Sequence, residues 1–203
     1  RILLGGVRDQ AFTETDILNA LGDSAWSRVL MALVAERRGA FTRARAHLDA
    51  AVELADGDLN KAKLRFFRGQ AAEKELAMDV ALADYRAYLK AAPRDIVVQQ
   101  RVARLEVHKE IVSAYESTSD DGIRVIYPPH ALDLSEAYAL AGAAREAIDT
   151  AAELTGTEPR PELGIVVYPS RSELLATTCV PMWTGGVYDG VVRMVEQENR
   201  SRF

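Results

Sequence analysis

Apolar residues recur at helical spacing through the first half of the chain. Between Ala25 and Ala92 the sequence is rich in Ala, Leu, Arg and Glu, and its apolar positions step by three and four residues, which predicts amphipathic helices. After Pro93 the same spacing predicts one further helix over residues 95–116. Its apolar stripe consists of Val98, Val102, Leu105, Val112 and Tyr115. The first half is therefore predicted to be helical.

The helices of this half repeat along the chain. Three pairs of residues align at one constant interval: Ala44 with Ala81, Leu48 with Tyr85, and Ala51 with Tyr88. Small residues allow two helices to cross closely, and a leucine or aromatic ring four residues later fills the space between them. The pattern predicts stacked helix–turn–helix units ending in a capping helix, with an unrelated helical bundle as the alternative.

The second half changes to short runs rich in β-branched residues, which are typical of strands. The three runs are Ile123–Tyr127, Leu163–Tyr168 and Val187–Arg193. Asp133 and Ser170 each precede a glutamate at capping-box spacing, which predicts a long helix to about Thr155 and a short one to about Thr178. Asp189-Gly190 is able to bend or bulge the third strand.

These patterns predict a mostly α fold with two parts. Residues 1–118 form the helical repeats with their capping helix, and residues 119–203 form a small α+β domain, complete or incomplete. Residues 119–203 carry 7 Arg against 13 Asp and Glu, a charge of −6, and residues 1–118 carry +1, which together give the net charge of −5. An acidic half without lysine disfavours nucleic acid as a partner, because phosphate backbones are bound by basic clusters. No apolar run approaches the roughly 20 residues of a membrane span. Two compartments are compatible with the sequence: the cytoplasm, or the periplasm or cell exterior if a signal peptide has been removed.

The second repeat unit resembles the tetratricopeptide repeat, since Gly69, Ala81, Tyr85 and Pro93 match four of its consensus positions. The resemblance implies that the inner faces of the first helices line a groove for a protein or peptide partner. The groove candidates are Trp26, Val29, Leu33, Glu36, Lys63, Phe66, Gln70 and Glu73. A place in the core is the alternative for the aromatic candidates.

Residues 123–194 resemble the N-terminal part of a peptidase-MA-like domain, a gluzincin-type zinc metallopeptidase fold often preceded by tetratricopeptide repeats. The resemblance rests on the order strand, long helix, strand, short helix, Trp-containing turn and Gly-x-Tyr-Asp-Gly strand. In that family a His-Glu-x-x-His helix follows, whose histidines hold zinc while the glutamate activates water. His47, His108 and His130 do not form this motif. No catalytic residue and no metal ligand is therefore predicted, and zinc is implied only if the protein continues with that helix.

The same resemblance implies an edge strand that pairs with an extended peptide, because gluzincins use the strand before the zinc helix in this way. The edge candidates are Trp183, Val187, Tyr188, Asp189, Gly190, Val191 and Val192. A strand inside the sheet is the alternative. For His108 we expect a partly buried structural role, and for Cys179, the single cysteine, a buried and inert one.

Two functions follow from this reading. The first is a non-catalytic module for protein or peptide interaction, built of helical repeats joined to a partial metallopeptidase-like domain. The second is the front fragment of an active zinc metallopeptidase whose His-Glu-x-x-His helix lies beyond Phe203. A third, a small-molecule-binding α+β domain, has no cofactor motif to support it.

Overall fold

The computed structural model describes residues 13–196 and has the mostly α fold, with a small α+β part, that the sequence predicts. The first part contains α1 Glu14–Leu21, α2 Ala25–Arg37, α3 Phe41–Leu54, α4 Asp58–Lys74, α5 Met78–Ala91 and α6 Ile96–Val112. The second contains β1 Glu116–Asp120, β2 Ile123–Tyr127, α7 Leu134–Thr155, β3 Leu163–Tyr168, α8 Arg171–Thr177, β4 Gly186–Tyr188 and β5 Val191–Val195.

The turns between the paired helices repeat at the interval seen in the sequence. Three backbone hydrogen bonds close the α2–α3 turn: Arg38 N to Val34 O, Gly39 N to Glu36 O, and Ala40 N to Ala35 O. The same three close the α4–α5 turn: Glu75 N to Ala71 O, Leu76 N to Glu73 O, and Ala77 N to Ala72 O. Gly39 and Leu76 hold the corresponding place, with φ of 75° and 60°. A positive φ is uncommon for leucine, so the shared turn is imposed by the helix pair rather than by local preference.

Small residues bring the repeat helices together. A Cβ on Gly69 of α4 would lie 2.8 Å from Cε1 of Tyr85 on α5, so the glycine is needed for the tyrosine ring to fit. Ala81, one turn earlier on α5, is fully buried, as is the Tyr85 ring. This contact confirms the predicted combination of a small residue and an aromatic ring at the helix crossing.

The five strands form one sheet in the order β1-β2-β3-β5-β4. β2, β3 and β5 run parallel to one another, while β1 and β4 are antiparallel to their neighbours. All six residues of β3 are buried, as expected for a central strand covered on both faces. The capping box of Asp133 and Glu136 opens α7, which connects β2 to β3.

The sheet lies between the helical array and α7. On the array side, a first core joins α4, α5 and α6 to Ile126, Val166, Tyr168 and Val191 of the sheet and to Leu174 of α8. On the other side, a second core joins Ala137 and Ala141 of α7 to the alternate residues of β2 and β3. The alternation along each strand thus assigns one face to the array and the other to α7. The predicted domain boundary between residues 118 and 119 falls inside β1 and stays a prediction.

Two elements differ from the sequence prediction. The helix expected over residues 95–116 ends at Val112, and the polar run Glu116–Asp120 forms β1, of which only Thr118 is buried. The run Val187–Arg193, expected as a single bent strand, is a hairpin of β4 and β5 that turns at Asp189 and Gly190. In both places pairing with a neighbouring strand decides the conformation, and a local pattern of apolar residues does not carry that information.

Candidate functional site

The groove candidates of α2 lie on a helix whose exposed side is apolar. Trp26 is 65% exposed and Leu33 is 49% exposed, and the two are separated by seven residues, which places them on one face of the helix. Val29 packs against the core formed by α2, α3 and α4. Glu36 forms an ion pair with Lys74 of α4. The α2 candidates are therefore divided between an open apolar face and contacts within the array.

The candidates of α4 have mostly internal contacts. The ring centroid of Phe66 lies 5.2 Å from that of Tyr88 on α5, so this side chain packs between the two helices. Gln70 and Glu73 are half-buried, and Lys63 is exposed. Of the eight groove candidates, Glu73 is the one that lines a cavity between the array and the sheet.

This cavity, which we call the cleft, has a volume of about 260 Å³ and lies between α4 and α6 on one side and the β4–β5 hairpin with the residues after α8 on the other. The helices supply Glu73, Arg101, Arg104 and His108 to its lining. The sheet side supplies Cys179, Val187, Asp189 and Arg193. Three guanidinium groups and two carboxylates thus converge from elements that are far apart in sequence.

A buried polar cluster forms the floor of the cleft. The Tyr168 hydroxyl lies 3.1 Å from Nε2 of His108, and it accepts hydrogen bonds from Thr177 Oγ1 at 3.0 Å and from Arg193 Nη1 at 3.3 Å. Burial lowers the pKa of His108 to about 3, with a further contribution from the charge of Arg193. The imidazole is therefore neutral near pH 7, and its Nε2 shares a hydrogen bond with the hydroxyl of Tyr168.

The charges in the cleft are only partly paired. Glu73 lies 3.3 Å from Arg101, and Asp189 lies 3.2 Å from Arg193. Burial raises the pKa of Glu73, and the charge of Arg101 opposes that shift. Arg104 contacts the Sγ atom of Cys179, and among residues 13–196 no carboxylate lies within ion-pair distance of it. The lining therefore carries one guanidinium more than its carboxylates balance.

The open edge of the sheet lies beside the cleft. β4 is one of the two outer strands of the sheet, and within residues 13–196 its three residues pair with β5 alone. Two backbone hydrogen bonds set the register at the ends of the hairpin: Val195 N to Gly185 O at 3.0 Å and Asp189 N to Val191 O at 3.2 Å. Bonded and non-bonded pairs alternate in an antiparallel ladder, so Val187 bonds to β5 while the main-chain groups of Gly186 and Tyr188 point to the open edge.

Large apolar side chains surround this edge. Met182 is 78% exposed, Trp183 is 80% exposed and Tyr188 is 51% exposed. The guanidinium of Arg160 lies 5.6 Å from the ring centroid of Tyr188 and also donates a hydrogen bond to its hydroxyl. Apolar groups concentrated next to unpaired strand groups are typical of a site that another chain covers.

The structure divides the predicted edge residues between two strands. Val187 and Tyr188 lie on the edge strand β4, and Trp183 lies in the turn before it. Val191 and Val192 lie on β5, which is paired with β3 on one side and β4 on the other, so neither is available to a peptide. Asp189 and Gly190, expected to bend or bulge a single strand, instead form the turn between β4 and β5.

Sequence reasoning did not single out the arginines of the cleft, whereas it named His108 and expected a partly buried structural role for it; the structure shows His108 buried in the lining. Arg101, Arg104 and His108 are spaced by three and four residues and lie on one face of α6, a signal that the sequence contains. Arg193 is separated from them by more than 80 residues, and only the packing of the sheet on the array brings it into the cleft. Cys179, expected to be buried, is exposed at the cleft.

Within residues 13–196, no group of three or more His, Cys, Asp and Glu side chains is placed to hold a metal ion. No helix in the same range has the length and apolar character to cross a membrane. Comparison of the chain with protein-family models, with curated proteins and with solved structures found no match.

Proposed function

We propose that the chain is a non-catalytic module that binds an extended peptide or protein segment along the open edge of β4. In this proposal the helical array resembles tetratricopeptide repeats, and it packs on a sheet that resembles part of a metallopeptidase domain. The observation that carries the proposal is the edge itself: the main-chain groups of Gly186 and Tyr188 face outward beside the exposed rings of Trp183 and Tyr188.

Strand addition explains why such an edge suits a peptide. Main-chain hydrogen bonds provide affinity for many sequences, while pockets for alternate side chains provide specificity. The exposed pair Trp26 and Leu33 on α2 offers a second apolar contact for a larger partner. The edge is favoured as the primary site because it combines unpaired strand groups, aromatic side chains and a neighbouring cavity.

The test replaces one hydrogen-bond donor of the edge. Tyr188→Pro removes an outward-facing N–H, which an edge strand tolerates, and Tyr188→Ala is the matched control that keeps the N–H and loses the ring. Binding of fluorescent pools of acetylated, amidated decapeptides is measured by polarisation. We expect the proline variant to lose at least tenfold in affinity relative to the alanine variant. Equal affinities for the two folded variants would contradict strand addition.

The second candidate is the front fragment of a zinc metallopeptidase. The order β2, α7, β3, α8, a turn at residues 181–184 and the β4–β5 hairpin supports this candidate, because the resemblance rests on the same order. The measurement is the intact mass and zinc content of the natively expressed protein. A mass well above 22.3 kDa with about one zinc per chain supports the peptidase. A mass near 22.3 kDa without zinc supports the binding module.

A further inference from the structure

The register of β4 determines which side chains of a bound peptide enter the cleft. Val187 pairs with Arg193, and both side chains lie on the array face of the sheet and line the cleft. Side chains directly opposite each other on neighbouring strands project to the same face. A peptide residue that pairs with Val187 from the open edge therefore projects toward the cleft, while its two neighbours project to the other face.

The size of the cleft suits one group rather than a whole ligand. Its volume of about 260 Å³ is below the roughly 300–1,000 Å³ of pockets that enclose a small-molecule ligand. The cleft is accessible to solvent, because Cys179 in its lining is exposed, and Val187 of the edge strand also lines it. A single side chain, or the terminus of a chain, fits a cavity of this size and position.

The charge of the lining selects the chemistry of that group. Arg101 and Arg193 have carboxylate partners in Glu73 and Asp189, and Arg104 contacts a thiol. The histidine beside them is neutral, so it does not change the balance. One uncompensated guanidinium favours a monoanion, and the planar fork of arginine matches the two oxygens of a carboxylate.

We propose that the cleft binds a carboxylate of the bound peptide, with Arg104 as its principal partner and Arg101 and Arg193 as supporting cations. The inference rests on the proposed function, because the peptide is taken to pair with β4. A glutamate or aspartate side chain and a C-terminal carboxylate share this chemistry. The edge of β4 tolerates many peptide sequences, and the cleft adds a preference for peptides that place a carboxylate in it.

The test compares matched peptides. Pools of decapeptides that are acetylated and amidated carry either Glu or Gln at one fixed position, and a third set has Gln and a free C-terminal carboxylate. We expect either the Glu pools or the free-acid pools to bind roughly tenfold more tightly than the matched neutral pools. A preference of the first kind assigns the carboxylate to a side chain, and one of the second kind assigns it to the terminus.

Two variants test the role of Arg104 in this preference. Arg104→Gln is expected to remove the preference for the carboxylate while keeping the affinity for neutral pools. Arg94→Gln, at an exposed arginine in the turn before α6, is the control and is expected to keep the preference. If Tyr188→Pro weakens peptide binding but the peptides show no preference for a carboxylate, this inference is overturned and the proposed function stands. If binding does not depend on Tyr188→Pro, the proposed function fails and the inference with it.

Cys179 provides a second measurement that requires no variant. It is the single cysteine of the chain and lines the cleft, so its reaction with a neutral disulfide reagent reports on occupancy. We expect saturating peptide with the preferred carboxylate to slow the reaction at least fivefold more than its neutral counterpart at equal occupancy. Equal rates with both peptides would overturn the inference.

Discussion

The burial of His108 predicts a specific loss of stability in mild acid. This side chain is 3% exposed, and it faces the Arg193 guanidinium and the Tyr168 hydroxyl, with the Glu73 carboxylate on the same cavity wall. Burial, followed by the charge of Arg193, lowers its pKa from 6.5 to about 3. The folded chain therefore holds a neutral imidazole at pH values at which the unfolded chain has bound a proton.

The sign of the effect follows from proton linkage. The contribution of His108 to stability is complete above its unfolded pKa of 6.5, and it is lost as the pH falls from there toward 3. One unit of pKa corresponds to about 1.4 kcal/mol, so lowering the pH from 7 to 5 costs about 2 kcal/mol of unfolding free energy from this residue. The raised pKa of Glu73 has the opposite sign, because a carboxyl group protonated more readily in the folded chain favours folding as the pH falls.

The assay is urea unfolding followed by circular dichroism at pH 7, 6 and 5, with the wild-type chain and His108→Gln. Glutamine keeps a hydrogen-bonding group for Tyr168 and does not titrate, so the variant is expected to lose about 2 kcal/mol less than the wild type between pH 7 and pH 5. His130→Gln, at an exposed position, is the control and should follow the wild type. Equal losses in the wild type and His108→Gln would refute the assignment of a neutral, buried His108.

Two further predictions concern an ion pair within the array and the packing of the sheet against the array. Arg68 bonds to Asp84 at 2.5 and 2.7 Å and to Asp49 at 2.7 Å. Because Asp84 is buried and its hydrogen bonds to Arg68 are charged, Asp84→Asn is expected to lower the unfolding free energy by about 2 kcal/mol. A change below about 0.5 kcal/mol in urea titrations would show that the pair contributes little. A Cβ on Gly164 would lie 2.9 Å from Cδ1 of the buried Leu76, so Gly164→Ala is expected to cost about 1–3 kcal/mol. Combining it with Leu76→Ala should cost less than the sum of the two single changes, and strict additivity would contradict the contact.

The sequence contains the information for the array because its helices are specified by local spacing. The match of Ala44 with Ala81 predicts two equivalent helices, and α3 and α5 begin and end at that same interval, at Phe41 and Met78 and at Leu54 and Ala91. The turns between helices follow the same interval down to individual backbone hydrogen bonds. Capping residues such as Asp133 fix the start of α7 by bonding to the backbone one turn later, which is again a local interaction.

The site depends on contacts that local patterns do not encode. β1 is a polar strand whose stability comes from its pairing with β2, so its sequence gives no apolar alternation to read. The hairpin of β4 and β5 differs from a single bent strand only in the turn at Asp189 and Gly190. Arg193 enters the cleft because β5 packs against α4 and α6, and this arrangement depends on the fold of the whole chain. Exposure of Trp183 likewise follows from the edge position of β4 rather than from its neighbours in sequence.

Hydrogen exchange at β4 tests the peptide-binding proposal most directly. Amide exchange is followed by NMR for the free chain and for the chain saturated with the tightest decapeptide from the pools. We predict that the outward-facing amides of Gly186 and Tyr188 become protected by at least tenfold, while the amide of Val187, already bonded to β5, changes little. Binding that leaves Gly186 and Tyr188 unprotected, or that protects only α2 around Trp26 and Leu33, would contradict strand addition at this edge.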